Sequence, residues 1–391
     1  MSLFSSIPMA SMTSPLTVGA PIMQVSPATL ATHCSYPPGK DERLIVPLDG
    51  SLRRKGLNFF LPLKKRTALR LRSLTRLLSG TTEHTHFRES QVMQAIKNLA
   101  GDPSLHTVIS IGTPGPYRKY TVLLLNNEGT QVAVAKIGTT PKAIDQVRKE
   151  AHWLRVLTAE PAMRHCTPAF IAEDNSADAW IVVQSVCTGK FVDTVLGPPQ
   201  LQFLSAFQQL FQEELMFRDS VMYRDIAGRF ARLQSRLSPA WVNRTKRALS
   251  VLEAGLAHVT MRVVGAHRDF APWNMRLQGG RLAVFDWEYA STGYLPLYDL
   301  FHFHLVPIAV KSIVSPSRLR RILEDVARQG ASLGKPTRKP YAPALQLLAY
   351  LLDVSLFYLE SNEGVETGDA IVQCFSGLID DFDVWSASDI P

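Results

Sequence analysis

Asp269 follows His267 and Arg268 and precedes Asn274 by five residues; Asp286-Trp287-Glu288 comes twelve residues after Asn274. A short loop between Asp269 and Asn274 lets both side chains curl toward one point. An amide oxygen and a carboxylate, Asn274 and Asp286, are hard oxygen ligands that suit Mg²⁺ and leave coordination sites for phosphate oxygens and water. Asp269 is then placed to accept a proton from an attacking hydroxyl. Residues 263–303 can therefore hold a metal-bound triphosphate and a base together, provided the chain returns Asp286 to the side of Asn274.

The elements that must do this are legible around the motif. Residues 275–277 and 282–285 read as strands, and Gln278-Gly279-Gly280 between them tolerates the positive φ of a tight turn, so a hairpin returns Asp286 to Asn274. Further upstream, 108–112 and 120–125 read as strands around a turn that contains Gly112 and Gly115. Such a turn can lay backbone N–H groups over phosphates, and an ordinary hairpin has the same pattern. Residues 131–137 form the next strand, VAVAKI, whose apolar neighbours crowd Lys136. The helix expected over 141–157 carries Ile144, Val147, Ala151 and Leu154 on one stripe with Glu150 beside it. Lys136 and Glu150 are thus candidates for an ion pair between the strand and the helix packed under it. Residues 167–173 and 179–186 complete a sheet. Beyond residue 189 the apolar period becomes helical over 201–217, 222–237, 240–259, 316–329 and 343–362.

The run HRDFAPWN with FDWE after it resembles the catalytic loop and metal-binding motif of the aminoglycoside phosphotransferase and choline kinase superfamily, the small-molecule branch of the protein-kinase-like fold. The resemblance implies an α+β, two-lobed kinase-like fold: a small antiparallel-sheet lobe that binds nucleotide, a mostly helical lobe, and a site in the cleft between them. It implies that Asp269 is the catalytic base, that Asn274 and Asp286 are metal ligands, and that Glu288 assists a second metal. Lys136, oriented by Glu150, would hold the α- and β-phosphates of ATP. Gly112 and Gly115 would lie over the phosphates, and Gln184 would open the hinge against which adenine packs. Asp299, which opens an apolar helical run, would support the catalytic loop through its amides or cap the helix. Arg268 matches protein kinases better than the glycine common in antibiotic kinases. The basic segment ahead of the core, together with DWEYA, is also similar to kinase-like proteins of bacterial surface-glycan biosynthesis.

Composition bounds the remainder. The chain has 391 residues, a net charge of +8 and four scattered cysteines without CxxC spacing, so neither a disulfide framework nor a zinc site is indicated, and a cytoplasmic setting fits. Residues 1–40 read as a flexible extension without a secretory signal, 41–100 as a basic accessory segment, 101–188 as the nucleotide-binding lobe and 189–391 as the helical lobe. Residues 51–80 hold nine basic side chains and no acidic one, so the rest of the chain sums to about −1 (8 − 9). Leu71, Leu74 and Leu78 share a helical face there. Such a helix either packs on the core with its charges in water or makes peripheral contact with an anionic membrane. No nucleic-acid motif accompanies it, and no specific nucleic-acid partner is expected. The apolar tracts 300–314 and 342–359 are broken by Pro307 and Lys311 or carry Gln346 and Asp353, which suits buried helices. His302 and His304 read as packing histidines.

Asp299 follows Asp286 by thirteen residues, with no DFG and no APE, leaving little room for a peptide platform. A small-molecule hydroxyl acceptor is therefore expected: a sugar, an aminoglycoside-like compound or an amino alcohol. The rival readings are a non-catalytic nucleotide-binding scaffold and an atypical protein kinase.

Overall fold

The structure is a computed structural model that describes residues 22–36, 43–61, 85–176, 179–334, 343–366 and 368–386. The chain divides into two compact units, Met1–Cys187 and Thr188–Pro391.

The first unit is built on one antiparallel sheet. Its strands in chain order are β1 (Met23–Val25), β2 (His33–Tyr36), β3 (Leu44–Pro47), β4 (His86–Glu89), β5 (His106–Ile111), β6 (Lys119–Leu125), β7 (Gln131–Gly138), β8 (Phe170–Ser176) and β9 (Ala179–Ser185). They lie side by side as β1-β4-β2-β3-β5-β6-β7-β9-β8. Both faces of the central strands are covered, which is why β6 reads as a nearly continuous apolar run. Val122 and Leu124 enter one core with Met93 and Ile96 of the helix Gln91–Leu99. Leu123 and Leu125 enter the other with Leu52 and Phe60 of the helix Gly50–Phe60. Successive side chains of a strand point to opposite faces, so each helix collects alternate residues.

Two expectations change here. β1 and β2 fall within the stretch read as a flexible extension, and β3 and β4 within the accessory segment. All four pair into the same sheet as the strands after residue 101, through Ile45 opposite Ile109. Short strands such as HCSY and LIVP carry too few residues for a period-2 pattern to stand out, and their stability comes from pairing. Of the basic segment, Arg53, Arg54 and Lys55 lie on the helix Gly50–Phe60, which buries Leu52, Gly56 and Phe60 and exposes Arg54 and Lys55. Leu71, Leu74 and Leu78 lie outside the described residues.

The helix Pro141–Ala159 begins at an N-cap where Thr140 accepts from the Ala143 amide at 3.2 Å, with proline at its first position. It packs on β7 so closely at Gly138 that a Cβ there would lie 2.5 Å from the Ala143 carbonyl carbon and oxygen.

The second unit is mainly helical, with two three-stranded sheets. One has the order β10 (Lys190–Phe191), β13 (Met275–Gln278), β14 (Arg281–Val284). The other is β11 (Glu213–Met216), β12 (Thr260–Ala266), β15 (Ser291–Tyr294). The helix expected over 201–217 is observed as Pro198–Leu210, followed by β11. Phe207, Phe211 and Leu215 keep the helical spacing, but Glu213–Met216 pairs along β12 from Val263 to Thr260. Tertiary pairing overrides the local period there. The helix Pro343–Ser361 is long and apolar enough to cross a membrane, yet 72% of its apolar window is buried inside the protein, and Asp353 at its middle is fully buried.

Replacing Gly138 with alanine should force the helix Pro141–Ala159 off β7 and lower unfolding free energy by about 1–3 kcal/mol, as overpacking does. Urea denaturation of the purified variant checks this; a wild-type midpoint would show that the helix start yields without cost.

Candidate active site

β12 delivers the chain into the loop that begins at His267. The loop's shape is set by Asp299, at the start of the helix Tyr298–Ala309, whose two carboxylate oxygens accept from the amides of His267 at 2.8 Å and Arg268 at 2.9 Å. Of the two roles open to Asp299, the loop support is observed; Leu297, not Asp299, is the N-cap of that helix. Arg268 sits in the left-handed region with φ 66°. That conformation is strained for a residue with a Cβ, and the Arg268 side chain is held from several sides. Its guanidinium reaches Asp353 at 3.4 Å and Asp225 at 3.8 Å and lies 4.5 Å over the Tyr294 ring. Asp353 also pairs with Arg229 and accepts from the Tyr298 hydroxyl at 2.7 Å.

Past Asp269 the chain makes a tight turn, closed by the Ala271 amide on the Asp269 carbonyl at 2.9 Å, and enters the short 3-10 helix Pro272–Asn274. The turn brings the Asn274 side chain back: its Nδ2 donates to the Asp269 carbonyl at 3.0 Å and to Asp269 Oδ2 at 2.8 Å. Asn274 Oδ1, on the other side of that amide, is buried and has no hydrogen-bond partner among the described residues. A buried carbonyl-type oxygen without a donor is costly unless something electropositive meets it.

The hairpin β13–β14 then runs in register from Met275 opposite Val284 to Gln278 opposite Arg281. Gly279 and Gly280 take φ 57° and 80°, the two positive values that a two-residue type I′ turn needs. The Phe285 amide donates to the Asn274 carbonyl at 3.0 Å, so the chain re-enters beside Asn274 one residue before Asp286. Asp286 is left-handed as well, φ 77°, which re-aims the chain into the 3-10 helix Trp287–Tyr289. One carboxylate oxygen each of Asp286 and Glu288 lie within 4.8 Å of one another. Trp287 between them is fully buried, donates its indole N–H to the Val284 carbonyl at 3.0 Å and packs edge-on to His267 at 4.6 Å. Asp286 and Glu288 thus flank an aromatic anchor.

In the first unit, Lys136 Nζ meets Glu150 Oε1 at 2.6 Å, with both side chains buried. Glu150 Oε2 is buried without a hydrogen-bond partner among the described residues. Gly112 closes the β5–β6 connection, its amide donating to the Lys119 carbonyl at 2.9 Å, and a Cβ there would lie 2.4 Å from that oxygen. Gly115 takes φ 142° at the tip, open to space. Gln184 lies inside β9, within the strand expected over 179–186, paired with Val134 on one side and Phe170 on the other. Its backbone is committed to the sheet and its side chain is buried, so the chain leaves the sheet only after Ser185.

One residue near the site was read otherwise from sequence. His302 is buried, as a packing histidine would be, but its Nε2 lies 3.1 Å from Asp269 Oδ1. The signal was its spacing: three residues after Asp299, it shares that residue's face of the helix. His304 hydrogen-bonds Gln329 at 2.9 Å, away from the loop.

A buried lysine–glutamate pair on an antiparallel sheet, and an Asp–Asn loop leading through a hairpin to a second aspartate, define a kinase-like phosphotransferase. The chain belongs to the phosphotransferase enzyme family, whose sequence profile matches residues 117–337. Among solved structures it is similar to a thermostable mutant of aminoglycoside phosphotransferase APH(4)-Ia in ternary complex with ADP and hygromycin B. That similarity has 15% identity and a TM-score of 0.51 and covers 76% of this chain and 100% of that one. A second complex of that enzyme, with AMP-PNP and hygromycin B, gives 16% identity and a TM-score of 0.50 over 77% of this chain and 100% of that one. At these identities the likeness shows the fold, which is protein-kinase-like. No curated protein matches the sequence.

Two groups around the loop titrate oppositely. Burial pushes His267 down from 6.5 to about 4, so the unfolded chain takes up its proton first and stability falls as pH drops through that interval. Burial pushes Asp299 up from 3.8 to about 6 against the two amides that favour its anion, so the folded protein takes up this proton first and stability rises as pH drops through that interval. The two nearly offset. Asp299→Asn removes only the second, so its unfolding free energy should fall more steeply than wild type between pH 6 and 4 in urea titrations; parallel curves would contradict the linkage.

Proposed function

We propose that the protein transfers the γ-phosphoryl group of ATP to a hydroxyl of a small molecule. The observation that carries this reading is the Asp269–Asn274 pair: one amide hydrogen-bonds the carboxylate while its own oxygen stays buried and unmet by any donor among the described residues. A cation is the group that suits such an oxygen beside the neighbouring Asp286, and the donor set of amide and carboxylate oxygens fits Mg²⁺. Bound there through Asn274 and Asp286, with Glu288 as a further carboxylate, Mg²⁺ would neutralise charge on the nucleotide phosphates.

The chain's own residues supply the remainder. Lys136, oriented by Glu150, holds the α- and β-phosphates. The amides of the turn containing Gly112 and Gly115 cover phosphate oxygens. Asp269 orients the acceptor and takes its hydroxyl proton as the new P–O bond forms and ADP departs. Phosphoryl transfer depends mostly on positioning and charge stabilisation, which suits a loop held by so many hydrogen bonds.

The acceptor class rests on the short interval from Asp286 to Asp299, filled by the Trp287–Tyr289 turn and β15 with no peptide platform. Sugars, aminoglycoside-like compounds and amino alcohols are the candidates. The test is an ADP-release screen with Mg²⁺ and ATP over sugars, amino alcohols, aminoglycosides and a generic protein substrate. Acceptor-stimulated turnover by a small molecule is expected. Asp269→Ala should lower it by roughly 10²- to 10⁴-fold, with ATP affinity within about twofold. Wild-type turnover in that variant would remove the base assignment; phosphorylation of protein alone would overturn the acceptor class, and no stimulation by any acceptor would favour a scaffold.

A further inference from the structure

Asp269 is engaged on both oxygens. Asn274 Nδ2 holds Oδ2 at 2.8 Å, and His302 Nε2 lies 3.1 Å from Oδ1. An ionised carboxylate only accepts hydrogen bonds, so the imidazole atom facing it must carry the hydrogen. The far nitrogen, Nδ1, is then an acceptor, and the Tyr350 hydroxyl lies 3.4 Å from it. Tyr350 is fully buried on the helix Pro343–Ser361, edge-on to the imidazole with ring centroids 6.1 Å apart. The chain Tyr350–His302–Asp269 thus runs from the core to the loop: the carboxylate selects the tautomer that presents Nε2–H to it, and the tyrosine hydroxyl can donate to the Nδ1 left free.

From this geometry we infer that His302 is a positioning residue for phosphoryl transfer, acting through Asp269. The inference rests on the reading of Asp269 as the base. Two donors on opposite oxygens stop rotation about the Cβ–Cγ bond of Asp269, and each oxygen keeps a lone pair. The acceptor hydroxyl therefore meets a carboxylate already aimed, instead of one that must be ordered at the moment of attack. His302 touches no phosphate in this role. Its loss should appear in turnover and leave nucleotide binding alone. The same helix grips the loop at Asp299 one turn earlier, so Asp299 sets the backbone of the loop and His302 sets the side chain that the loop carries.

The test compares His302→Leu, which keeps bulk and removes the donor, with His302→Gln, whose side-chain amide offers an N–H at a similar reach. Tyr350→Phe removes only the hydroxyl. Each full-length variant is assayed with Mg²⁺, ATP and the best acceptor from the screen, or with water as acceptor if ATP hydrolysis is the only turnover, alongside thermal melting and Asp269→Ala. His302→Leu should lower kcat roughly 10- to 100-fold, as expected for a lost hydrogen bond to a charged group, with KM for ATP within about twofold. His302→Gln should recover most of that loss, and Tyr350→Phe should cost about threefold.

Leu and Gln variants with the same kcat, or a loss that follows melting temperature across the set, would overturn the inference while leaving Asp269 as the base. Full turnover in Asp269→Ala, or none in wild type with any acceptor or water, would remove the base assignment and this inference together.

Discussion

The structure depends on the grip of one buried carboxylate on two backbone amides. Asp299 binds the N–H groups of His267 and Arg268, and this holds the chain in the left-handed turn at Arg268. Without it, the loop would relax toward conformations that L-residues prefer, at a gain of roughly 1–2 kcal/mol for the turn residue, and Asp269 would swing away. Glycine would adopt this positive φ freely. Here an arginine takes the strained position, and its side chain supplies compensating interactions.

Those interactions connect the loop to the helical core. Arg268 and Arg229 converge on Asp353, which is fully buried, and Tyr298 adds a hydroxyl hydrogen bond. Burying three charges is costly in isolation and becomes tolerable because each is paired and hydrogen-bonded. Arg229 extends the network to Glu360 at 3.3 Å, and Arg232 reaches the same carboxylate at 2.7 Å. This network explains why a helix apolar enough to be taken for a membrane span carries an aspartate at its midpoint. The loop is thereby tied to the helices Val221–Leu233 and Pro343–Ser361 as well as to the one that carries Asp299.

Much of the candidate chemistry was legible because it is local. Asp269 and Asn274 are close in sequence, the Gly279-Gly280 turn has an unambiguous backbone signature, and VAVAK places a lysine where only a partner makes sense. The kinase-like fold followed from the same motif. What was not legible is non-local. His302 looked like core because nothing in sequence tells which loop a helix face meets. The end of the helix at Leu210 was hidden because the ladder with β12 is made by residues about fifty positions away. The strands ahead of residue 100 were missed for the same reason: each is three or four residues long and acquires its structure from the strand beside it.

That last feature bears on how the protein tolerates shortening. β3 lies along β5, with Leu44 opposite Ser110, Ile45 opposite Ile109 and the Ile111 amide donating to the Arg43 carbonyl at 2.8 Å. The family match begins only at residue 117, beyond all of these strands. A chain trimmed toward that boundary would keep the loop from His267 to Asn274 but bare one margin of an apolar, doubly covered strand, with its N–H and C=O groups unpaired. Such a margin is a template for another copy, and in the intact chain the strands before residue 100 cover it as part of the first unit's sheet.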